Sequence, residues 1–168
     1  MRPFSCPPAV PQDSPLISPQ YRLHSFFALY QFVDQRKLGK VYSNGIRLRV
    51  RPRKLRLPDV IFLHRDHFHA RHNRAWDGAD LVMDVVSDSP ADRQRDYEQK
   101  LIDYAEAKVS EYWIIDPERQ AVVVHQLTGD RYSVHGEYGR GQVAISALLA
   151  GFGVDVGSLF DAAASIPE

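Results

Sequence analysis

Between residues 46 and 63 the chain changes rhythm. Ile46-Arg47-Leu48-Arg49-Val50-Arg51 alternates apolar and cationic side chains, the period of two that gives a strand one buried and one wet face, so its arginines share a face. After Pro58, Asp59-Val60-Ile61-Phe62-Leu63 is rich in β-branched and aromatic residues and reads as a short buried strand. Leu81-Val82-Met83-Asp84-Val85-Val86 is a second apolar run, interrupted by one carboxylate and ending at the turn-forming Ser87-Asp88-Ser89-Pro90. Glu111 to Asp116 is a fourth strand, stopped by Pro117. The runs 121–127 and 132–136 flank Thr128-Gly129-Asp130 as a hairpin.

Two stretches carry helical spacing instead. From Tyr21 to about Lys37, Leu23, Phe26, Phe27, Tyr30 and Val33 recur at intervals of three and four, and Gly39 provides a stop. From Asp92 to Ala107, Tyr97, Leu101, Tyr104 and Ala105 keep the same spacing, with Asp92 and Asp96 favouring the positive N-terminal end. The polar stretch 64–78 holds at most a helical turn, and 143–160 is expected to supply short pieces that close the core. The order is helix, three strands, helix, three strands. It predicts an α/β protein with a mixed sheet flanked by helices. Residues 1–19 carry Pro3, Pro7, Pro8, Pro11, Pro15 and Pro19, which predicts an irregular arm ahead of one domain over 20–168.

Composition bounds the function. The 168 residues are 44% hydrophobic and 25% charged, enough to bury a core without staples. Lys plus Arg and Asp plus Glu are both 21, so a nucleic-acid surface has to come from local segregation. Arg47, Arg49, Arg51, Arg53, Lys54 and Arg56 supply it, six cations within ten residues. Read alone, the run is equally a solvated strand face. The one cysteine, Cys6, rules out an intrachain disulfide and a Cys-rich zinc site. No apolar run is long enough to span a bilayer and the start does not resemble a secretory signal, so a cytoplasmic location is expected.

Asp59 and Asp84 each enter the core on an apolar strand, where a carboxylate is costly unless it is paired or binds a cation. Two carboxylates, the backbone carbonyl of Val85 and water would suit Mg2+ or Mn2+. Lys100 borders the apolar stripe of the second helix and can reach the sheet, where an ammonium could stabilise an attacked phosphate or orient a water. The competing reading has both acids satisfied by backbone amides and the lysine snorkelling to solvent. His64, His67, His69 and His72 cluster without a ligand frame. Ser87 and Ser89 lack a nucleophile elbow, and no glycine-rich phosphate loop is present.

Four segments in order, Pro58 to Leu63, Ala79 to Ser87, Asp96 to Lys100 with Asp103-Tyr104-Ala105, and Glu111-Tyr112-Trp113-Ile114-Ile115-Asp116-Pro117, resemble the Uma-type restriction endonuclease family of the PD-(D/E)XK nuclease superfamily. The resemblance runs over about residues 20–160. It implies a restriction endonuclease-like fold and metal-dependent hydrolysis of DNA phosphodiesters. It also implies roles for Asp59 and Asp84 as metal ligands and for Lys100 as the basic residue, since Val86 stands where that base is usually expected. Asp84 stands where the family usually has Glu, and the family's additional N-terminal hairpin with its Glu, like the His that opens its first helix, has no counterpart in the residues before Tyr21. The alternative is a catalytically inactive nucleic-acid-binding or oligomerising module of the same fold. A homodimer is a further expectation, with Tyr112-Trp113 or the terminal apolar segment as its interface.

Overall fold

A computed structural model describes residues 18–87 and 89–164. Helix α1 (Ser18–Gln35) leads into strand β1 (Gly39–Ser43), the hairpin β2 (Leu48–Arg51) and β3 (Lys54–Arg56), and strand β4 (Val60–His64). A 3-10 turn over Arg65–Ala70 precedes β5 (Leu81–Val85). Helix α2 (Pro90–Gln94), a π-helical turn over Arg95–Gln99 and helix α3 (Lys100–Glu106) then form one crossover to β6 (Glu111–Asp116). The long hairpin β7 (Ala121–Thr128) and β8 (Arg131–Gly139) follows, then β9 (Val143–Ile145), β10 (Gly153–Asp155) and α4 (Val156–Ala164).

Six strands form one mixed sheet in the order β1-β4-β5-β6-β7-β8. Only β5 and β6 are parallel, as the helical crossover between them requires, and every other pair is antiparallel. The expected α/β mixed sheet flanked by helices is what forms. Strand alternation divides the core in two. Val60, Phe62, Leu81, Met83, Trp113 and Ile115 face α1, α4 and the β9–β10 hairpin. Ile61, Leu63, Val82, Tyr112 and Ile114 face Tyr104 of α3 and Leu48 and Val50 of β2. Asp84 follows Met83 in β5 and therefore belongs to the second face, under α3.

Helix α1 departs from expectation. Of the apolar stripe, Val33 is buried as expected and Phe26 packs partly buried against the core, but Leu23, Phe27 and Tyr30 are 48%, 56% and 45% exposed, and the core takes Tyr21 and Leu29 instead. Aromatic and aliphatic residues occur around most of this helix, so spacing alone does not choose a face. The helix also takes in Ser18 and Pro19, which the sequence placed in the arm. Proline is tolerated in a first turn because its missing donor has no partner there. The rest of that arm lies outside the described residues.

The helix stop is likewise displaced from Gly39 to Lys37, which adopts φ 54° while the Leu38 N–H bonds the Val33 carbonyl at 3.0 Å. Gly39 serves another purpose, since a Cβ there would lie 2.1 Å from the Leu63 carbonyl oxygen across the β1–β4 pair. Tyr112 and Trp113, offered as an interface between two copies, are 0% and 1% exposed and belong to the two halves of the core.

Candidate active site

Asp59 and Asp84 meet where β4 and β5 stop pairing. The last register pair is Val60 with Met83, and the next residues outward are the two aspartates. There the side chains replace the backbone ladder. The Asp59 N–H donates to Asp84 Oδ1 at 3.1 Å, and the Val85 N–H donates to Asp59 Oδ2 at 2.8 Å. Each carboxylate thus satisfies a backbone donor of the opposite strand, which fixes both with little side-chain freedom.

Helix α3 supplies the other half. Tyr104 is fully buried and its hydroxyl donates to Asp84 Oδ2 at 3.0 Å. Lys100 reaches the same oxygen with Nζ at 3.0 Å and lies 2.7 Å from Asp96 Oδ1. Asp59, Asp84 and Lys100, all three expected from sequence, therefore converge. Together with Asp96, Val85 and Arg95 they line a polar cleft of about 200 Å³. Arg22 of α1 touches its rim, 3.4 Å from Asp59 Oδ1.

Electrostatically the cleft is short of positive charge. Burial pushes the Asp59 carboxyl above its usual value and the neighbouring Asp84 charge pushes it further; the Val85 N–H and the Lys100 and Arg22 charges oppose this without cancelling it. Burial likewise raises Asp96 against the pull of Lys100. For Lys100, burial works against the ammonium, yet Asp84 and Asp96 outweigh it and the net direction is upward, so the lysine stays charged.

Asp96 was read as a helix-dipole residue and is instead a buried member of the cleft, 1% exposed. Its spacing of four from Lys100 was the available signal. The π-helical turn over Arg95–Gln99 carries it, and such turns are frequent at functional sites. Tyr104 was legible as an apolar-stripe residue and as part of a segment that carries the family resemblance, without a role at Asp84. Among the described residues no three His, Cys, Asp or Glu side chains converge in metal-holding geometry. The donor set nevertheless suits a hard divalent ion, through both Asp59 oxygens and Asp84 Oδ1, each of which keeps a lone pair beyond its one present bond, with carbonyl and water completing the shell.

The arginine run divides. Arg51, Lys54 and Arg56 converge on Asp103 of α3, a fully buried carboxylate, at 2.8, 2.8 and 2.7 Å. Arg49 pairs with Asp77 at 2.8 Å. Arg47 and Arg53 are exposed, and their side chains have no polar partner among the described residues. The run is thus in part a clamp between the β2–β3 hairpin and α3. Burial alone would raise the Asp103 carboxyl, but hydrogen bonds from Lys54 and Arg56, followed by the Arg56 charge and the Arg51 bond, carry it below its usual value.

The architecture is shared with a solved protein. The crystal structure of a "putative nuclease belonging to DUF820" from Anabaena variabilis ATCC 29413 superposes with a TM-score of 0.68 at 13% identity, covering 88% of this chain and 82% of that one. The chain therefore shares that protein's fold. The Uma2 family, described as "Putative restriction endonuclease", matches residues 16–157, and the chain belongs to that family. Among curated proteins nothing matches. No helix among the described residues is long and apolar enough to cross a membrane.

Proposed function

We propose that the protein is a Mg2+- or Mn2+-dependent DNA endonuclease whose site is Asp59, Asp84 and Lys100. The observation that carries this reading is the convergence of two strand-borne carboxylates and one buried lysine in an open polar cleft with unbalanced negative charge. Asp59 and Asp84 would hold the ion, with the Val85 carbonyl as a neutral ligand; when bound, it polarises a phosphoryl oxygen and acidifies water. Lys100 donates hydrogen bonds to the attacking water or to a phosphate oxygen and supplies positive charge where negative charge develops. Tyr104 holds Asp84 in place, and Asp96 keeps the Lys100 ammonium at the cleft. Within the arginine run, Arg47 and Arg53 have no polar partner among the described residues and are free to contact phosphate, with Arg49, paired to Asp77, beside them. Such contacts position nucleic acid without reading its sequence.

A second reading is a binding module of the same fold without catalysis. It is favoured by Asp84, whose two oxygens already accept bonds from Asp59, Tyr104 and Lys100. Supercoiled plasmid incubated with the protein in Mg2+, Mn2+ or EDTA separates the two. Nicking that needs metal and falls at least about 100-fold in Asp84→Ala and Lys100→Ala is expected. DNA binding without cleavage, equal with and without metal, would leave the binding module.

A further inference from the structure

On the far face of the sheet, at its opposite end, lies a second cavity of about 440 Å³, a size typical of small-molecule sites. Its walls are apolar, formed by Phe32 of α1, Leu38, Phe62 of β4 and Leu149. Phe62 faces away from the Asp84 side of the sheet, and the cavity reaches His64, the last residue of β4, whereas Asp59 precedes the first. The two sites are thus separated by the thickness of the sheet and the length of a strand.

Three features make this a built site. Buried Glu111 holds the wall that carries Leu149, its carboxylate accepting the N–H groups of Ala147 and Leu148 at 2.7 and 2.8 Å, the Ser146 hydroxyl at 2.7 Å and the Trp113 indole N–H at 2.6 Å. On the other side Asp80 accepts the His64 N–H at 2.6 Å and faces His67 Nδ1 at 2.7 Å. A carboxylate can only accept, so Nδ1 carries the proton, the ring is oriented and Nε2 is left for a ligand. At the rim the Arg36 guanidinium lies 3.8 Å over the Phe32 ring and has no ion pair or hydrogen bond among the described residues. Stacking orients its plane and leaves its donors available, the arrangement that suits an incoming carboxylate or phosphate.

We infer that this cavity binds a small organic anion with a flat aromatic body, the anionic group on Arg36 and the body between Phe32, Phe62 and Leu149. Asp80 is engaged by the His64 amide and by His67, which disperses its negative charge, and the Arg36 guanidinium supplies the opposite charge at the rim.

The test is a titration of the full chain with 2-naphthoate and with neutral 2-naphthol, followed by amide chemical shifts. Variants are Arg36→Gln, Ala150→Trp, which narrows the cavity from its exposed rim, and Asp84→Ala in the other cleft. Expected are saturable shifts at His64, His67 and Leu149, with naphthoate bound about tenfold more tightly than naphthol, as one charge-assisted contact warrants. Arg36→Gln should equalise the two ligands, Ala150→Trp should weaken both, and Asp84→Ala should change neither. Absence of saturable shifts with naphthoate, equal affinities for the two ligands in the unmodified chain, or binding undisturbed by Ala150→Trp would overturn the inference.

Discussion

Two clusters of buried carboxylates and cations lie under the same helical segment, and they are balanced in opposite ways. At Asp103 one carboxylate meets Arg51, Lys54 and Arg56, and its carboxyl is driven down. At the cleft, Asp59, Asp84 and Asp96 share Lys100 with only rim contact from Arg22 and Arg95, and Asp59 and Asp96 are driven up. The first cluster is charge-satisfied and ties a hairpin to a helix. The second retains an excess of negative charge that a divalent cation would relieve. Under the proposed function, the two clusters differ in whether the protein itself completes the neutralisation or leaves it to a bound ion.

The largest effect expected from breaking this contrast is at Asp103. Asp103→Ala strands three cations around an emptied buried position and should cost about 3 kcal/mol in urea unfolding. A change below about 0.5 kcal/mol would mean the clamp is merely a surface pairing. In the cleft the sign reverses. Asp96→Asn or Asp59→Asn removes an uncompensated charge and should raise the metal-free Tm by about 2–4 °C, while Asp59→Asn removes any Tm gain from added Mn2+. A fall in metal-free Tm would contradict the charge-excess account.

The two clusters also differ with pH. Asp103 has a lowered folded pKa, so its contribution is in place above the ordinary value of 3.8 and disappears as pH falls through the folded value. Asp59 and Asp96 have raised folded values, so theirs is present below 3.8 and is lost as pH rises through the folded values. Stability measured against pH should therefore lose part of its acid limb in Asp103→Asn, whereas Asp96→Asn should lessen the loss above pH 3.8 in metal-free buffer. The smallest effect belongs to Arg47→Ala with Arg53→Ala. Stability should stay within about 0.5 kcal/mol, while the salt dependence of DNA binding should fall by about one unit of slope per lost phosphate contact.

Much of the fold was legible because its central strands are strongly patterned. β4, β5, β6 and the β7–β8 hairpin follow from apolar runs and a Thr-Gly-Asp turn. β1 was missed because Lys40-Val41-Tyr42-Ser43 is short, with Val41 its one buried residue. β9, β10 and α4 were seen only as short closing pieces, since their glycines interrupt any long period. In the site, Asp59 and Asp84 stood out as lone acids among apolar neighbours, and Lys100 by its place beside the helical stripe. Asp96 and Asp103 did not, because an acid on a helix ordinarily faces water. Their burial depends on Lys100 one turn away and on cations of the β2–β3 hairpin 47 to 52 positions distant in sequence. Arg49 and Arg51 were correctly read as lying opposite buried Leu48 and Val50, but a strand pattern does not reveal that Arg51, with Lys54 and Arg56, reaches a carboxylate on α3.

The central claim is that the cleft, and not the clamp, takes a divalent cation. Calorimetric titration of Mn2+ into the metal-free protein tests it most directly. The account predicts one saturable site, lost in Asp59→Ala and Asp84→Ala and retained in Asp103→Asn. Saturable binding that survives both cleft substitutions, or no binding to the unmodified chain, would contradict it.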